Sequence, residues 1–297
     1  MDLTPITKFK QEKEIIMDIL NIAAFSDGTA GGNPAGVLIA DTLPSDSDMQ
    51  AIAKDVGFSE TAFAARKDDG WRVRYFSPES EVPFCGHATI ALGAALAMQH
   101  GDRVFPLHLN HADITVEGRR DGETVSAVLQ SPPTKSRPAG SDIVAEALDL
   151  FGYSKADLDA RIPPAIAEGG ATHLVLALNS REKLAAMTYD LDRGRSFMNA
   201  NGLVTVTLVY AETPTLFHVR NPFASGGVYE DPATGAAAAA FAGYLRDLGW
   251  PSGGSIDIIQ GEDMGARSLL HAEFSDEPGE SIRVSGTARV MNQDEAT

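Results

Sequence analysis

Residues 85–98, CGHATIALGAALAM, carry no formal charge, and residues 232–245, PATGAAAAAFAGYL, repeat that character. Each stretch predicts a helix that is apolar on all sides, and such a helix has to be buried throughout. Each also begins with glycine and polar residues, at a helix N-terminus where unpaired N–H groups and the helix dipole favour an anion. We therefore predict two wholly buried helices that aim their N-termini at one cleft and bind a carboxylate there.

Strand patterns flank both predicted helices. They run over 18–76 and 104–130 around the first helix, interrupted by an amphipathic helix at 45–56, and over 173–220 and 256–291 around the second. This order indicates an internal duplication of architecture. Because the helices do not alternate regularly with the strands, a doubly wound parallel sheet is disfavoured. We expect an α+β fold in which a curved sheet wraps round each buried helix.

Other segments lack these patterns. Ser131–Gly140 holds three prolines and a glycine, which favours a linker between two domains. Met1–Ile16 is polar and lysine-rich, and we expect it to be a disordered extension before the first strand. The loops around Tyr153–Gly170 and Tyr189–Gly202 are candidates for shaping a pocket.

Length, composition and charge limit the classes of function that the chain can have. With 297 residues the chain is long enough for two domains, and 43% hydrophobic and 22% charged residues are typical of a soluble globular protein. The formal net charge of -17 repels phosphate backbones, so we expect no nucleic-acid partner. Cys85 is the only cysteine, which fits a reducing compartment, and no apolar run is long enough for a membrane span. We expect a cytoplasmic protein with no membrane partner.

The segment Ser59-Glu60-Thr61-Ala62-Phe63 is the first of three that can carry chemistry. Glu60 lies between a predicted helix end at Gly57 and an apolar strand. A carboxylate beside an apolar wall is suited to moving protons near neutral pH. A surface or capping glutamate has the same local sequence, so both interpretations stay open.

The segment Glu81–Thr89, EVPFCGHAT, is the second. His87 can donate or accept a proton or hold a carboxylate, and Gly86 lets a ligand approach the backbone closely. The alternative is a histidine at a helix start that forms hydrogen bonds within the protein and has no part in binding or catalysis. Cys85 is either a reactive thiol at a helix N-terminus or a small buried apolar residue.

The segment Glu230–Ala236, EDPATGA, is the third. Asp231 either caps the second buried helix or forms a hydrogen bond with an amine or hydroxyl of the substrate. The backbone N–H groups of Gly235 and Ala236 are candidates for binding a carboxylate.

Several common chemistries are absent from the sequence. It has no Walker lysine loop, no GxGxxG after a strand, no HExxH, no paired-cysteine zinc spacing and no Gly-x-Ser-x-Gly. His100, His108 and His111 are close together but lie in a predicted helix end and loop. We therefore expect neither a metal nor a cofactor.

Four segments together resemble the PhzF family of phenazine-biosynthesis-like isomerases and epimerases. They occur in the family's order, within a match that runs from Asp18 to Asn292. The segments are Gly32–Ala35, Ser59–Phe63, Glu81–Thr89 and Glu230–Gly235.

The resemblance implies a diaminopimelate epimerase-like fold. In that fold two pseudo-symmetric lobes are each a β-barrel-like roll wrapped round a central buried helix, and the last strand returns to the first lobe. The N-terminal lobe is then 17–130 plus 286–297, and the C-terminal lobe is 131–285. The family often forms homodimers, so we expect a homodimer.

The resemblance also implies a mechanism. The family's characterised member isomerises a dihydro-hydroxyanthranilate without a cofactor, using a glutamate that moves a proton between ring carbons. The match places that glutamate at Glu60, with His87 and Asp231 assisting. It places substrate contacts at Ser59, Gly86, Gly235 and Ala236.

Two departures from related proteins matter. The family often has serine where this chain has Ala236, so the backbone donor is kept but a hydroxyl contact is lost. Diaminopimelate epimerase uses two cysteines, and a chain with one cysteine cannot be a two-thiol racemase. Asp231 remains a candidate for a second base.

These observations lead to one hypothesis and two alternatives. We predict a cofactor-independent isomerase that moves a proton on a small carboxylate-bearing substrate, with Glu60 as general acid and base in a cleft between two lobes. The first alternative is a mixed-base racemase or epimerase using Cys85 and Asp231. The second is a family member that binds a small molecule without catalysis.

Overall fold

The computed structural model describes residues 7–9 and 17–292. The expected extension at residues 1–16 lies outside the described residues, except for a strand at 7–9. The helices are α1 (Asp46–Val56), α2 (Gly86–His100), α3 (Ser141–Phe151), α4 (Arg181–Ala185), α5 (Leu191–Ala200) and α6 (Gly235–Leu248). The strands up to α3 are β1 (Thr7–Phe9), β2 (Met17–Ala24), β3 (Asn33–Ala40), β4 (Thr61–Lys67), β5 (Gly70–Phe76), β6 (Glu81–Val82), β7 (Arg103–His108), β8 (Asp113–Asp121), β9 (Thr124–Pro133) and β10 (Lys135–Pro138). The later strands are β11 (Ala165–Glu168), β12 (Thr172–Leu178), β13 (Thr205–Ala211), β14 (Leu216–Arg220), β15 (Pro222–Phe223), β16 (Val228–Glu230), β17 (Ser255–Gln260), β18 (Ser268–Glu273) and β19 (Ser281–Val290).

The chain divides into two compact units. The first is Met1–Leu129 with Ser285–Thr297, and the second is Gln130–Val284. The boundaries fall within β9 and β19, so the chain passes from one unit to the other inside strands rather than through loops.

The first unit is built round α2. Strands follow one another in the order β19-β2-β3-β4-β5-β7-β8-β9, and β9 pairs back to β19, so the sheet closes into a barrel. Most neighbours with known register are antiparallel, but β3 and β4 are parallel, as are β5 and β7. α2 contacts β2, β3, β4, β7 and β8, and every residue from Gly86 to Ala97 is buried. The barrel therefore surrounds a helix that has no polar face.

The second unit repeats this plan round α6. Its sheet runs β10-β11-β12-β13-β14-β17-β18, and α6 contacts β10, β11, β12, β17 and β18. Gly235 and the residues from Ala237 to Arg246 are buried. Phe241 of α6 meets Phe217 of β14 edge-on, with ring centroids 5.0 Å apart. An apolar helix enclosed by a curved sheet is thus the core of this unit as well.

The prediction of an α+β fold with a buried helix at the centre of each half is confirmed. The helix at 45–56 is also present: Ser45 caps α1 by accepting from the Asp48 N–H, and Met49, Ile52 and Ala53 are buried. Among the described residues, no helix combines the length and apolar character needed to cross a bilayer.

Two local expectations were wrong. Ser131–Gly140 is not a linker, because it contains the end of β9 and the whole of β10, which pairs with β11. Proline's restricted φ is compatible with extended backbone, so a proline-rich segment can lie in a sheet. Tyr189–Gly202 is not a loop, because Asp190 caps α5, which buries Phe197 and Met198.

Candidate active site

Glu60 lies directly before β4, three residues after the glycine that ends α1. Gly57 ends α1 with a φ of 75°, and its N–H bonds to the Ala53 carbonyl. The N–H of Gly36 on β3 donates to the Glu60 carbonyl at 3.2 Å. A Cβ at position 36 would lie 2.8 Å from Thr61 Oγ1, so only glycine fits where β3 and β4 come this close. The strand pair therefore fixes the backbone of Glu60.

The Glu60 carboxylate contacts His87, which lies in the first turn of α2. Glu60 Oε2 is 3.5 Å from His87 Nε2, and Ser59 Oγ is 3.4 Å from the same nitrogen. Only 11% of the Glu60 side chain and 5% of the His87 side chain are exposed. The surface interpretation of Glu60 is therefore wrong. A buried carboxylate beside an imidazole can exchange protons with it and with a bound substrate.

The other imidazole nitrogen faces Cys85, the residue before α2. Cys85 Sγ is 3.3 Å from His87 Nδ1. The Thr89 hydroxyl donates to the Cys85 carbonyl at 2.6 Å, and the Tyr75 hydroxyl lies 2.7 Å from Thr89 Oγ1. Burial raises the pKa of Tyr75, so its hydroxyl stays protonated and donates to Thr89. These bonds hold the helix turn that carries His87.

The two buried helices begin differently from most surface helices. Among the described residues, neither Cys85 before α2 nor Thr234 before α6 forms a side-chain cap. The surface helices α1, α4 and α5 are capped by Ser45, Ser180 and Asp190. A helix start without a side-chain cap is suited to an anionic ligand, which can accept from its first N–H groups.

Asp231, in the second unit, is held through Thr234 and Gln260. The Thr234 hydroxyl donates to Asp231 Oδ2 at 2.5 Å. Gln260 Nε2 donates to the Asp231 carbonyl at 2.7 Å and to Thr234 Oγ1 at 3.0 Å, and Gln260 Oε1 accepts from the Thr234 N–H at 3.2 Å. Gln260 is only 1% exposed, so these bonds are shielded from water. They fix the turn before α6, whose N-cap position falls on Thr234 rather than on Asp231.

A buried ion pair precedes Asp231. Arg220 Nε and Nη2 donate to the two carboxylate oxygens of Glu230 at 2.9 and 2.5 Å. Burial opposes the charge of Arg220, but the bonds to Glu230 raise its pKa overall. The Asp231 N–H then donates to the Asn221 carbonyl at 3.0 Å. These bonds hold the backbone of the hairpin of β15 and β16, and so position Asp231 just before α6.

The predicted site residues fall into two groups, one in each unit. The first group is Ser59, Glu60, Gly86 and His87, and the second is Asp231, Gly235 and Ala236. The structure brings each group together locally, and the roles assigned to its members stay predictions.

Sequence reasoning missed Gln260 and Asn221. Each stands at the end of an apolar strand, Gln260 closing β17 and Asn221 following β14. A polar residue at such a position is a signal that could have been noticed. It does not reveal which turn the side chain supports, because that depends on how the strands are arranged in the sheet.

Comparisons with known proteins agree with this architecture. Residues 22–294 match the family described as phenazine biosynthesis-like protein, PhzC-PhzF. The chain is 31% identical over 290 residues to an uncharacterized isomerase of Deinococcus radiodurans, covering 92% of each chain. It is 30% identical over 268 residues to the trans-2,3-dihydro-3-hydroxyanthranilate isomerase of Pseudomonas fluorescens, covering 89% of this chain and 92% of that protein.

A solved structure gives the same picture of the fold. The phenazine biosynthesis protein of the PhzF family from Bacillus anthracis superposes with a TM-score of 0.80 at 21% identity. The match covers 92% of this chain and 96% of that chain.

Proposed function

The chain belongs to the phenazine biosynthesis-like protein family and is an isomerase, and we propose that it works without a cofactor by moving a proton on a small carboxylate-bearing substrate. The resemblance indicated by the four sequence segments is confirmed. The observation that carries the proposal is the buried contact between Glu60 Oε2 and His87 Nε2 at 3.5 Å.

Glu60 is the proposed general acid and base. Its carboxylate removes a proton from one carbon and returns it to another carbon on the same face of the substrate. His87 orients the substrate and shares the proton with Glu60, since its Nε2 lies beside both the carboxylate and Ser59 Oγ. A positioned acid or base typically contributes about 10²–10⁴-fold to the rate.

Asp231 and the helix starts are the proposed binding groups. We assign Asp231 the role of orienting an amine or hydroxyl of the substrate, since its carboxylate is itself oriented by Thr234. We assign the N–H groups of Gly86, Gly235 and Ala236 to the substrate carboxylate, because helix starts favour anions.

Replacing Glu60 tests the proposal directly. We expect Glu60→Gln to lose at least about 10²-fold in kcat and to keep its affinity for carboxylate ligands, because the amide has the shape of the carboxylate but is not a base. The first substrate to assay is trans-2,3-dihydro-3-hydroxyanthranilate, named for the relative from Pseudomonas fluorescens. Ligand affinity is measured by calorimetry with aromatic and amino-acid carboxylates.

The matched control is Glu79→Gln, which makes the same change of charge at an exposed position of the same unit. The control should turn over like the unsubstituted protein. Equal turnover in Glu60→Gln would eliminate the assigned role of Glu60. Binding without turnover in the unsubstituted protein, across a panel of such carboxylates, would favour the non-catalytic alternative.

The position of Cys85 keeps one alternative chemistry open. Its Sγ lies 3.3 Å from His87 Nδ1, so a thiol is present beside the proposed site. A mixed-base racemase using Cys85 and Asp231 would insert deuterium from D₂O at a single stereocentre with inversion. The proposed isomerase instead delivers the hydrogen to a different carbon, and NMR of the product distinguishes the two.

A further inference from the structure

Three different metal-ligating groups meet at the start of α2. One ligand atom from each of Glu60, Cys85 and His87 lies within 4.8 Å of the other two. Glu60 and Cys85 are 9% exposed and His87 is 5% exposed. We propose that these three side chains form a binding site for a thiophilic divalent cation of the Zn²⁺ class.

Each of two separations, taken singly, matches that between two ligands of such an ion. With Zn²⁺ bonds of about 2.0–2.3 Å in a tetrahedral arrangement, neighbouring ligand atoms are about 3.3–3.8 Å apart. Cys85 Sγ and His87 Nδ1 are 3.3 Å apart, and Glu60 Oε2 and His87 Nε2 are 3.5 Å apart. One ion can bind only one nitrogen of the imidazole. The group beside the other nitrogen, Cys85 or Glu60, therefore has to move closer, from a ligand-atom separation of up to 4.8 Å. Binding one ion through all three groups therefore requires a side-chain rotation of Cys85 or Glu60.

The chemistry of the donors selects the ion. Sulfur and imidazole nitrogen favour Zn²⁺ and similar metals, whereas Mg²⁺ and Ca²⁺ prefer oxygen ligands alone. A thiolate and a carboxylate together neutralise the two positive charges, which makes a buried cation acceptable. Three protein ligands leave a fourth position for water or a carboxylate.

A bound cation has a consequence that rests on the proposed function. The ion takes the lone pairs of Glu60 and His87, which proton transfer needs. The site is therefore inhibitory, and turnover falls as the cation concentration rises.

Cobalt spectroscopy tests the site independently of activity. Cys85 is the only cysteine in the chain, so a thiolate-to-Co²⁺ charge-transfer band reports on this site alone. We expect the reduced, metal-free full chain to develop this band with Co²⁺ and to lose it when Zn²⁺ displaces cobalt. Cys85→Ser should abolish the band and weaken Zn²⁺ binding by at least about 10–100-fold, the size of effect seen even for outer-shell partners of metal ligands.

Two further variants locate the ion. Glu60→Gln should weaken Zn²⁺ binding, measured by competition with a chromogenic chelator, because one ligand is lost. His271→Asn is the matched control: His271 lies 2.7 Å from Asp257 and 3.9 Å from Glu273 on the surface, and its loss should leave the band unchanged.

The outcomes separate the two proposals. Absence of the band in the unsubstituted protein would overturn the metal site. So would an affinity for Zn²⁺ in Cys85→Ser and Glu60→Gln that equals that of the unsubstituted protein. A band that Zn²⁺ displaces, together with turnover that Zn²⁺ does not affect, would establish the site and overturn the catalytic role of Glu60.

Discussion

His173 shows how a single buried residue makes stability depend on pH. It lies on β12 with 0% exposure, and its Nδ1 is 2.7 Å from Thr205 Oγ1 on β13. The hydroxyls of Thr205 and Thr207 both donate to Asn221 Oδ1, at 3.1 and 3.0 Å. Because Thr205 uses its proton for Asn221, His173 Nδ1–H donates to Thr205. Burial lowers the pKa of His173 to about 3, so the imidazole is neutral in the folded protein at pH 7.

We expect the free energy of unfolding to fall as the pH drops from about 6.5 towards 3. Unfolded histidine takes up a proton near 6.5, whereas folded His173 does so only near 3, so acid favours the unfolded chain over this range. The contribution is at most about 1.4 kcal/mol for each pH unit. Urea unfolding at several pH values, followed by circular dichroism, measures it.

His173→Asn is the control for this prediction. Asparagine keeps a donor for Thr205 but does not titrate, so the variant should show a shallower pH dependence whatever its absolute stability. Identical slopes for the variant and the unsubstituted protein between pH 6.5 and 3 would contradict the assignment.

At the scale of elements, α2 lies directly on β8 because both are glycine where they cross. A Cβ added to Gly118 of β8 would lie 2.4 Å from the Gly93 carbonyl oxygen and 2.8 Å from Ala97 Cβ. A Cβ added to Gly93 of α2 would lie 2.5 Å from Val116 Cγ2. The second unit uses the same device, since a Cβ on Gly169, directly after β11, would lie 2.7 Å from the backbone nitrogen of Ala240 in α6. Backbone contact at these points lets a sheet close tightly round each helix.

Gly118→Ala should therefore destabilise the protein by about 1–3 kcal/mol. The obstacle is the backbone of α2, so no side-chain rotation relieves it, and extra atoms in a well-packed core cost about this much. The free energy of unfolding by urea measures the effect.

Arg120→Ala is the control on the same strand, at an exposed position where substitutions change stability by at most about 0.5 kcal/mol. A stable Gly118→Ala variant, indistinguishable from the control, would show that α2 is not held against β8 in this way.

The whole molecule carries a strongly negative net charge. The chain has 41 Asp and Glu residues against 24 Lys and Arg residues. Its formal net charge is -17 and its sequence pI is about 4.7. Such an excess of negative charge destabilises the compact state through mutual repulsion. Buried pairs such as Arg220 with Glu230 are screened by salt much less than this surface field is.

We expect the Tm at pH 7.5 to rise by a few degrees between 0.01 M and 0.5 M NaCl. Salt shortens the Debye length from about 30 Å to under 10 Å and so weakens the repulsion. A change of 1 kcal/mol corresponds to about 2–4 °C in a protein of this order of size. Differential scanning calorimetry measures the shift.

The same salt series near pH 4.7 is the control, because the net charge is then close to zero and the rise should disappear. A Tm that falls with salt at pH 7.5 would mean that exposed ion pairs outweigh the repulsion.

The class of fold and the residues worth testing could be predicted from the amino-acid sequence. Apolar character on every side of 85–98 and 232–245 requires burial, because no face of either helix can meet water at low cost. The capping residue and the alternation of apolar residues then predicted the positions of α1 and most strands, because such patterns depend on residues that are neighbours in the chain. Four short segments, read in order, were enough to indicate the family.

The contacts between side chains that lie far apart in the chain could not be predicted in this way. Glu60 and His87 are 27 positions apart, and their contact depends on where β4 and α2 lie in the barrel. Gln260 supports the turn at Asp231 only because β17 ends beside it. Distances between residues far apart in the chain follow from packing, and packing is a property of all the elements together, which local patterns in a sequence do not contain.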